Sequence, residues 1–173
     1  RLLAISFVQY LSGFRIDLDA VGEICHRRDC LLVIDAVQGL GPFAVNVKKS
    51  NIHALSASAH KWLLGPEGVG ILFIDRELIP NVQPVEFGWT NVEGWPTYSR
   101  EEKLISGAKR YECGTLNTCG INGLKESIDL FLEIGVQPIT KRVDFLADLI
   151  FNEACNKGYE PLTPRTGLCG SGI

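Results

Sequence analysis

The sequence has no methionine and only three histidines in 173 residues, and its basic residues do not outnumber its acidic ones. With 17 Lys and Arg against 20 Asp and Glu, the formal net charge is -3. That excludes a nucleic-acid backbone as the main partner, because such partners reward dense positive charge. No apolar run approaches the roughly 20 residues that a membrane helix needs. The opening residues lack a charged-then-apolar leader with a small-residue cleavage site, so the cytoplasm is the expected compartment. The six cysteines are Cys25, Cys30, Cys113, Cys119, Cys155 and Cys169. They form no Cys-x-x-Cys pair, and no histidine follows one at zinc-ligand spacing, so no metal is expected. Cys25 suits an apolar helical stripe and Cys30 abuts an apolar strand, as reduced packing thiols do. No internal repeat or low-complexity segment is present. The chain runs from Arg1 straight into a strand-like stretch and closes on Ser171-Gly172-Ile173, which reads like a strand beginning. Together with the missing methionine, this suits a piece of a longer chain.

What remains is the balance of a globular domain, 46% hydrophobic and 21% charged, long enough to bury a real core. Leu2 to Val8 reads as a buried strand, broken at Ser12-Gly13. Asp17 then precedes a helical stripe of Leu18, Val21, Ile24 and Cys25, with Asp17 as N-cap. Leu31 to Ile34 is a continuous apolar run, as a strand buried on both faces should be, and it ends at Asp35. Ala54 to Ser58 is a small-residue strand leading to His60-Lys61. Val69 to Ile74 is another strand, entered through the turn Gly65-Pro66-Glu67-Gly68. Strand, helix and strand at these spacings imply a parallel α/β sheet. Pro80 to Tyr98 reads as a long loop, and loops of that length are often functional. Helices are expected from Ile121 to about Ile134, stopped by Gly135, and from Pro138 to near Gly158, with Val143, Leu146, Leu149 and Ile150 on its apolar side.

Asp35 ends an apolar strand, and in open α/β sheets ligands gather at the carboxyl ends of strands. A carboxylate there is either functional or a helix cap. Gln38 adds a second polar group at the same rim. Lys61 ends a second strand, in the company of Ser58, His60 and a glycine turn. A lone lysine is ordinarily a solvated charge. Here small residues leave room for a bulky ligand, and Ser58 and His60 suit a phosphate. The glycine turn precedes a strand, whereas a dinucleotide or P-loop motif precedes a helix, which weighs against a nucleotide-binding domain.

Asp35-Ala36-Val37-Gln38, followed by Ser58-Ala59-His60-Lys61-Trp62-Leu63-Leu64-Gly65-Pro66-Glu67-Gly68-Val69-Gly70, resembles the signature of class V aminotransferases. That family includes cysteine desulfurases, selenocysteine lyases and isopenicillin-epimerase-like enzymes. Arg110-Tyr111-Glu112-Cys113-Gly114-Thr115-Leu116-Asn117 is similar to its R-F-E-x-G-T-P-N segment, with Leu116 in place of the proline.

The resemblance implies a pyridoxal-phosphate-dependent fold type I domain with a mainly parallel sheet. Residues 1–135 would be the C-terminal part of the large domain, and 136–173 the linking helix and the start of the small α/β domain. It implies pyridoxal 5′-phosphate as cofactor, held in a Schiff base by Lys61. Asp35 would pair with the pyridine nitrogen, Gln38 with the phenolic oxygen, and Ala36 would lie on the ring face. Ser58 and His60 would hold the phosphate, and Thr115 would reach the phosphate of a neighbouring subunit, making a homodimer with a shared active site. The substrate would be a small amino acid. The chemistry would be desulfurase- or selenocysteine-lyase-like, with transamination or epimerisation as alternatives and a sulfur acceptor protein as a further partner. A fold-retaining binding protein is the non-enzymatic alternative, although Lys61, Asp35 and His60 are all present. Tyr10 stands where many desulfurases carry asparagine. In the family, the substrate-carboxylate arginine and the persulfide cysteine lie in segments beyond Ile173, so the 173-residue piece alone is expected to be inactive.

Overall fold

A computed structural model describes residues 1–94, 103–163, 165 and 169–173. Four strands form one sheet: β1 (Leu2–Ser6), β2 (Leu31–Asp35), β3 (Ala54–Ser58) and β4 (Gly70–Ile74), in that spatial order. β1, β2 and β3 are parallel and β4 is antiparallel to β3. The parallel expectation thus holds for three strands. The reversal of β4 comes from a short path: the chain turns back through residues 59–69 instead of crossing the sheet by a helix.

Helix α1 (Leu18–Arg27) links β1 to β2. Asp17 caps it, its Oδ1 accepting from the Asp19 and Ala20 amides at 3.0 and 3.1 Å. Asp17→Ala should cost about 1 kcal/mol of stability, read from a urea unfolding curve. The buried stripe of α1 is Leu18, Gly22 and Cys25, at the i, i+4, i+7 spacing of one helical face. Ile24, expected on that stripe, is instead 53% exposed, because it lies one residue off the buried line.

One face of the sheet carries the core. Leu32 and Ile34 have no exposed surface, and Leu55 and Ala57 of β3 are buried beside them. Phe7 and Phe43 meet edge to face, with centroids 6.1 Å apart. The alternate residues, among them Val33, Asp35 and Ser56, face the other way and are half-buried or exposed. β2 is therefore covered fully on one side only by the described residues, where a strand enclosed on both faces was expected.

Helix α2 spans Thr118–Ile134 and α3 spans Val136–Asn156. α2 begins three residues before the expected Ile121, because the Asn117 side chain caps it on the Gly120 amide at 2.9 Å. α3 begins two residues before Pro138, which falls in the first turn, where its missing N–H breaks no helical bond. Leu146, Leu149 and Ile150 are exposed at 41%, 52% and 71%, so most of the expected apolar side of α3 faces solvent. The expected loop from Pro80 is described as far as Gly94; its residues 95–98 lie outside the described set. The closing residues are not a strand, although the Arg15 amide donates to the Cys169 carbonyl at 3.0 Å and the Ser171 hydroxyl to the Gly13 carbonyl at 2.6 Å. No described helix is long and apolar enough to cross a membrane.

Candidate active site

Parallel pairing brings the carboxyl ends of β2 and β3 to one edge of the sheet. Ser6, Asp35 and Ser56 stand in register across β1, β2 and β3. Because side chains alternate, Ser58 shares their face. Asp35 is the last residue of β2 and Ser58 the last of β3, with His60 and Lys61 two and three residues further on. The strand ends thus bring Asp35, Ser58, His60 and Lys61 to one edge, with Ala36 and Gln38 directly after Asp35.

Asp35 is exposed, and its Oδ1 accepts the Val37 amide at 3.0 Å. Among the described residues its other carboxylate oxygen has no partner. The Asp35 carbonyl accepts from the Phe7 amide at 2.8 Å, and the Ala36 amide donates to the Ser56 carbonyl at 2.8 Å, so the backbone around the carboxylate is fixed on both sides. Ala36 itself has no exposed surface, so its methyl is not open to a ligand in this structure. The following Val37 and Gln38 are half-buried.

Lys61 and His60 are both exposed, between buried Ala59 and buried Leu63. The turn that carries them is bound closely. The Ala59 amide donates to the Val69 carbonyl, and the Gly65 amide returns to the Ala59 carbonyl at 2.9 Å. Leu64 adopts φ 56°, the left-handed region that non-glycine residues seldom occupy. Its carbonyl accepts the Ser127 hydroxyl at 2.9 Å, which ties this strained turn to α2. Thr115 is exposed. Two residues further on, Asn117 reaches the same turn, its amide nitrogen donating to the Gly68 carbonyl at 3.3 Å. Asn117 and Ser127 were not among the expected site residues. Asn117 carried a legible signal, a capping residue ahead of a helix, but the bond from Ser127 spans 63 residues and leaves no local trace.

A concavity of about 640 Å³ lies elsewhere, lined by Phe7, Arg15, Phe43 and Lys49 among others, and holds none of the seven predicted residues. Asp35, His60 and Lys61 are exposed at the strand edge, so concavity alone would have pointed away from them. No metal-ligand cluster occurs among the described residues. Cys25 is buried, and that burial pushes its thiol up, which suits packing rather than nucleophilic work.

The family model for aminotransferase class-V matches residues 1–153. The chain belongs to the class V aminotransferase family. A probable cysteine desulfurase of Pyrococcus abyssi is 30% identical over 142 residues, covering 82% of this chain and 35% of that protein. An uncharacterized aminotransferase of Bacillus subtilis, YcbU, is 27% identical over 167 residues, covering 96% of this chain and 44% of the relative. The apo structure of a cysteine desulfurase from Thermococcus onnurineus superposes with a TM-score of 0.90 at 28% identity, covering 99% of this chain and 42% of that one. The cystine C-S lyase C-DES, at 19% identity and a TM-score of 0.83, shares the fold. The chain therefore spans less than half the length of these relatives.

The family implies pyridoxal 5′-phosphate, and the residues present fit it. A carboxylate with one open oxygen, an exposed amine, and a hydroxyl and an imidazole share one edge. In turn, these groups would suit a protonated ring nitrogen, an aldehyde and a phosphate.

Proposed function

We propose that this protein is a pyridoxal 5′-phosphate enzyme that works at Cα of a small amino acid, with Lys61 carrying the cofactor covalently. The observation that carries this reading is the convergence of Asp35, Ser58, His60 and Lys61 on one strand edge, in a chain of the class V family. When bound, the cofactor supplies an electron sink for the charge left at Cα.

The chain's own residues would do the rest. Lys61 Nζ would hold the aldehyde carbon, then take up and return the Cα proton once substrate displaces it. Asp35, with its backbone fixed, would keep a proton on the ring nitrogen through its open oxygen. Gln38 would bond the phenolic oxygen. Val37 has the exposure to lie against the ring, whereas Ala36 is enclosed. Ser58 and His60 would bond the phosphate within one chain. Thr115 would bond it in a second copy, which makes a homodimer part of the proposal. The boundary between large and small domains would fall after Gly135, a reading supported by the φ of 84° at that glycine between α2 and α3.

Cleavage of a carbon–sulfur or carbon–selenium bond is the first choice, supported by the desulfurases among the relatives. A sulfur acceptor protein and a cytoplasmic setting would go with it. Transamination is the second reading. It is favoured by Tyr10, 70% exposed, where desulfurases carry asparagine, and by the relative described as an aminotransferase.

The protein from its full reading frame should be yellow with cofactor bound, and borohydride should fix the label on Lys61. Peptide mapping that found the label on Lys48 or Lys109 instead would overturn the assignment.

A further inference from the structure

Residues 86–94 and 103–114 form a double loop with an unusual degree of side-chain control. Val92 and Leu104 bridge antiparallel, and the Ile105 amide donates to the Asn91 carbonyl at 3.0 Å. Asn91 has no exposed surface. Its side-chain oxygen accepts the Gly88 amide at 2.9 Å, and its nitrogen donates to the Glu86 and Arg110 carbonyls at 3.0 and 3.1 Å. The two halves lie so close that a Cβ at Gly88 would stand 1.7 Å from the Cys113 carbonyl oxygen. Next to it, the Thr90 hydroxyl donates to the Glu112 carbonyl, with the Gly114 carbonyl 3.4 Å away. On its other side the segment is tied down by Arg110 and Tyr111, which donate to the Ile79 and Val82 carbonyls at 3.1 and 2.9 Å.

These bonds end at Gly114, one residue before Thr115. One residue after Leu116, Asn117 makes the link to Gly68. Thr115 is thus a short exposed stretch strung between two fixed points, and its own hydroxyl has no partner among the described residues. Asn91 builds the frame, but Thr90 is the side chain that reaches the carbonyls on either side of Cys113. We infer that Thr90 is a positioning residue: its hydroxyl fixes the 112–114 backbone and so sets the angle at which Thr115 is offered to the phosphate of a cofactor held by a second copy of this chain. This rests on the reading of Thr115 given above.

The test separates the phosphate from the rest of the cofactor. Pyridoxal lacks the phosphate but keeps the ring and aldehyde, so a residue acting through the phosphate affects one ligand and not the other. In the full-length protein, Thr90→Val keeps the shape and removes the donor. It should weaken binding of pyridoxal 5′-phosphate by roughly three- to ten-fold, as the loss of one hydrogen bond predicts, with pyridoxal binding unchanged. Thr90→Ser should restore it. Thr115→Val should show the same phosphate-selective loss, and the double variant should be no weaker than Thr115→Val alone, because one residue acts through the other. Equal weakening for both ligands, no weakening, or additive losses would overturn the role of Thr90. A silent Thr115→Val would overturn instead the reading on which it rests.

Discussion

Asp35→Asn should leave cofactor binding close to that of the parent protein and lower turnover of the amino-acid substrate by about a hundred-fold or more, the scale seen when a preorganised electrostatic partner is lost. The geometry explains the split. Asp35 uses Oδ1 to accept the Val37 amide, and asparagine can keep that bond with its own oxygen. The strand end should therefore hold its shape, and the thermal midpoint should move little. The change falls on the open oxygen, which becomes an NH2 group. A neutral donor cannot hold a proton on the ring nitrogen that Asp35 is proposed to address, and the electron sink would weaken as that proton is lost. Lys61 and the phosphate contacts are untouched, so the yellow colour should persist. Cofactor titration and single-substrate kinetics on the same preparation would check both halves. Near-parental turnover would mean that the ring nitrogen is not addressed by this carboxylate.

That Asp35, Ser58 and Lys61 would share one edge was legible because each ends or follows a strand that the sequence pattern delimits, and the ends of parallel strands lie together. The direction of β4 was not legible. An apolar strand reads the same in either direction, and a glycine turn ahead of it does not say which way the strand runs. The loss of Ile24 from the α1 stripe has a similar origin: at 3.6 residues per turn, neighbouring apolar positions compete for one buried line, and Gly22 takes the place next to Ser50. The enclosure of Ala36 follows from strand alternation past Asp35, which a motif read as a string does not convey. The frame around Asn91 and Thr90 was hidden for a different reason. The bonds that join its two halves span 19 to 24 positions and end on backbone carbonyls that carry no residue signature.

Gly22→Ala should destabilise the protein by about 3 kcal/mol, against the ordinary trend. In a helix interior, alanine is normally favoured over glycine by about 1 kcal/mol. Here a Cβ on Gly22 would stand 1.9 Å from the Ser50 carbonyl oxygen and 2.6 Å from its carbon. That neighbour is backbone and cannot rotate away. It is also held from both sides: the Ser50 amide donates to the Asn46 carbonyl at 3.0 Å, and the Ser50 hydroxyl to Asp19 Oδ1 at 2.6 Å. Asp19 sits on α1 itself and also pairs with Lys49, so the loop and the helix are locked at the point where the new methyl would enter. The helix must lift, and Leu18 and Cys25, buried on the same line, lose contacts with it. Overpacking of this kind costs typically 1–3 kcal/mol, and a backbone collision belongs at the upper end. The thermal midpoint should fall by several degrees. Glu23→Ala, one position along on the exposed side of the helix, should stay within about 0.5 kcal/mol of the parent and controls for helix propensity. Thermal unfolding of both variants beside the parent would decide it, and a Gly22→Ala protein at least as stable as the parent would show that α1 does not seat against Ser50.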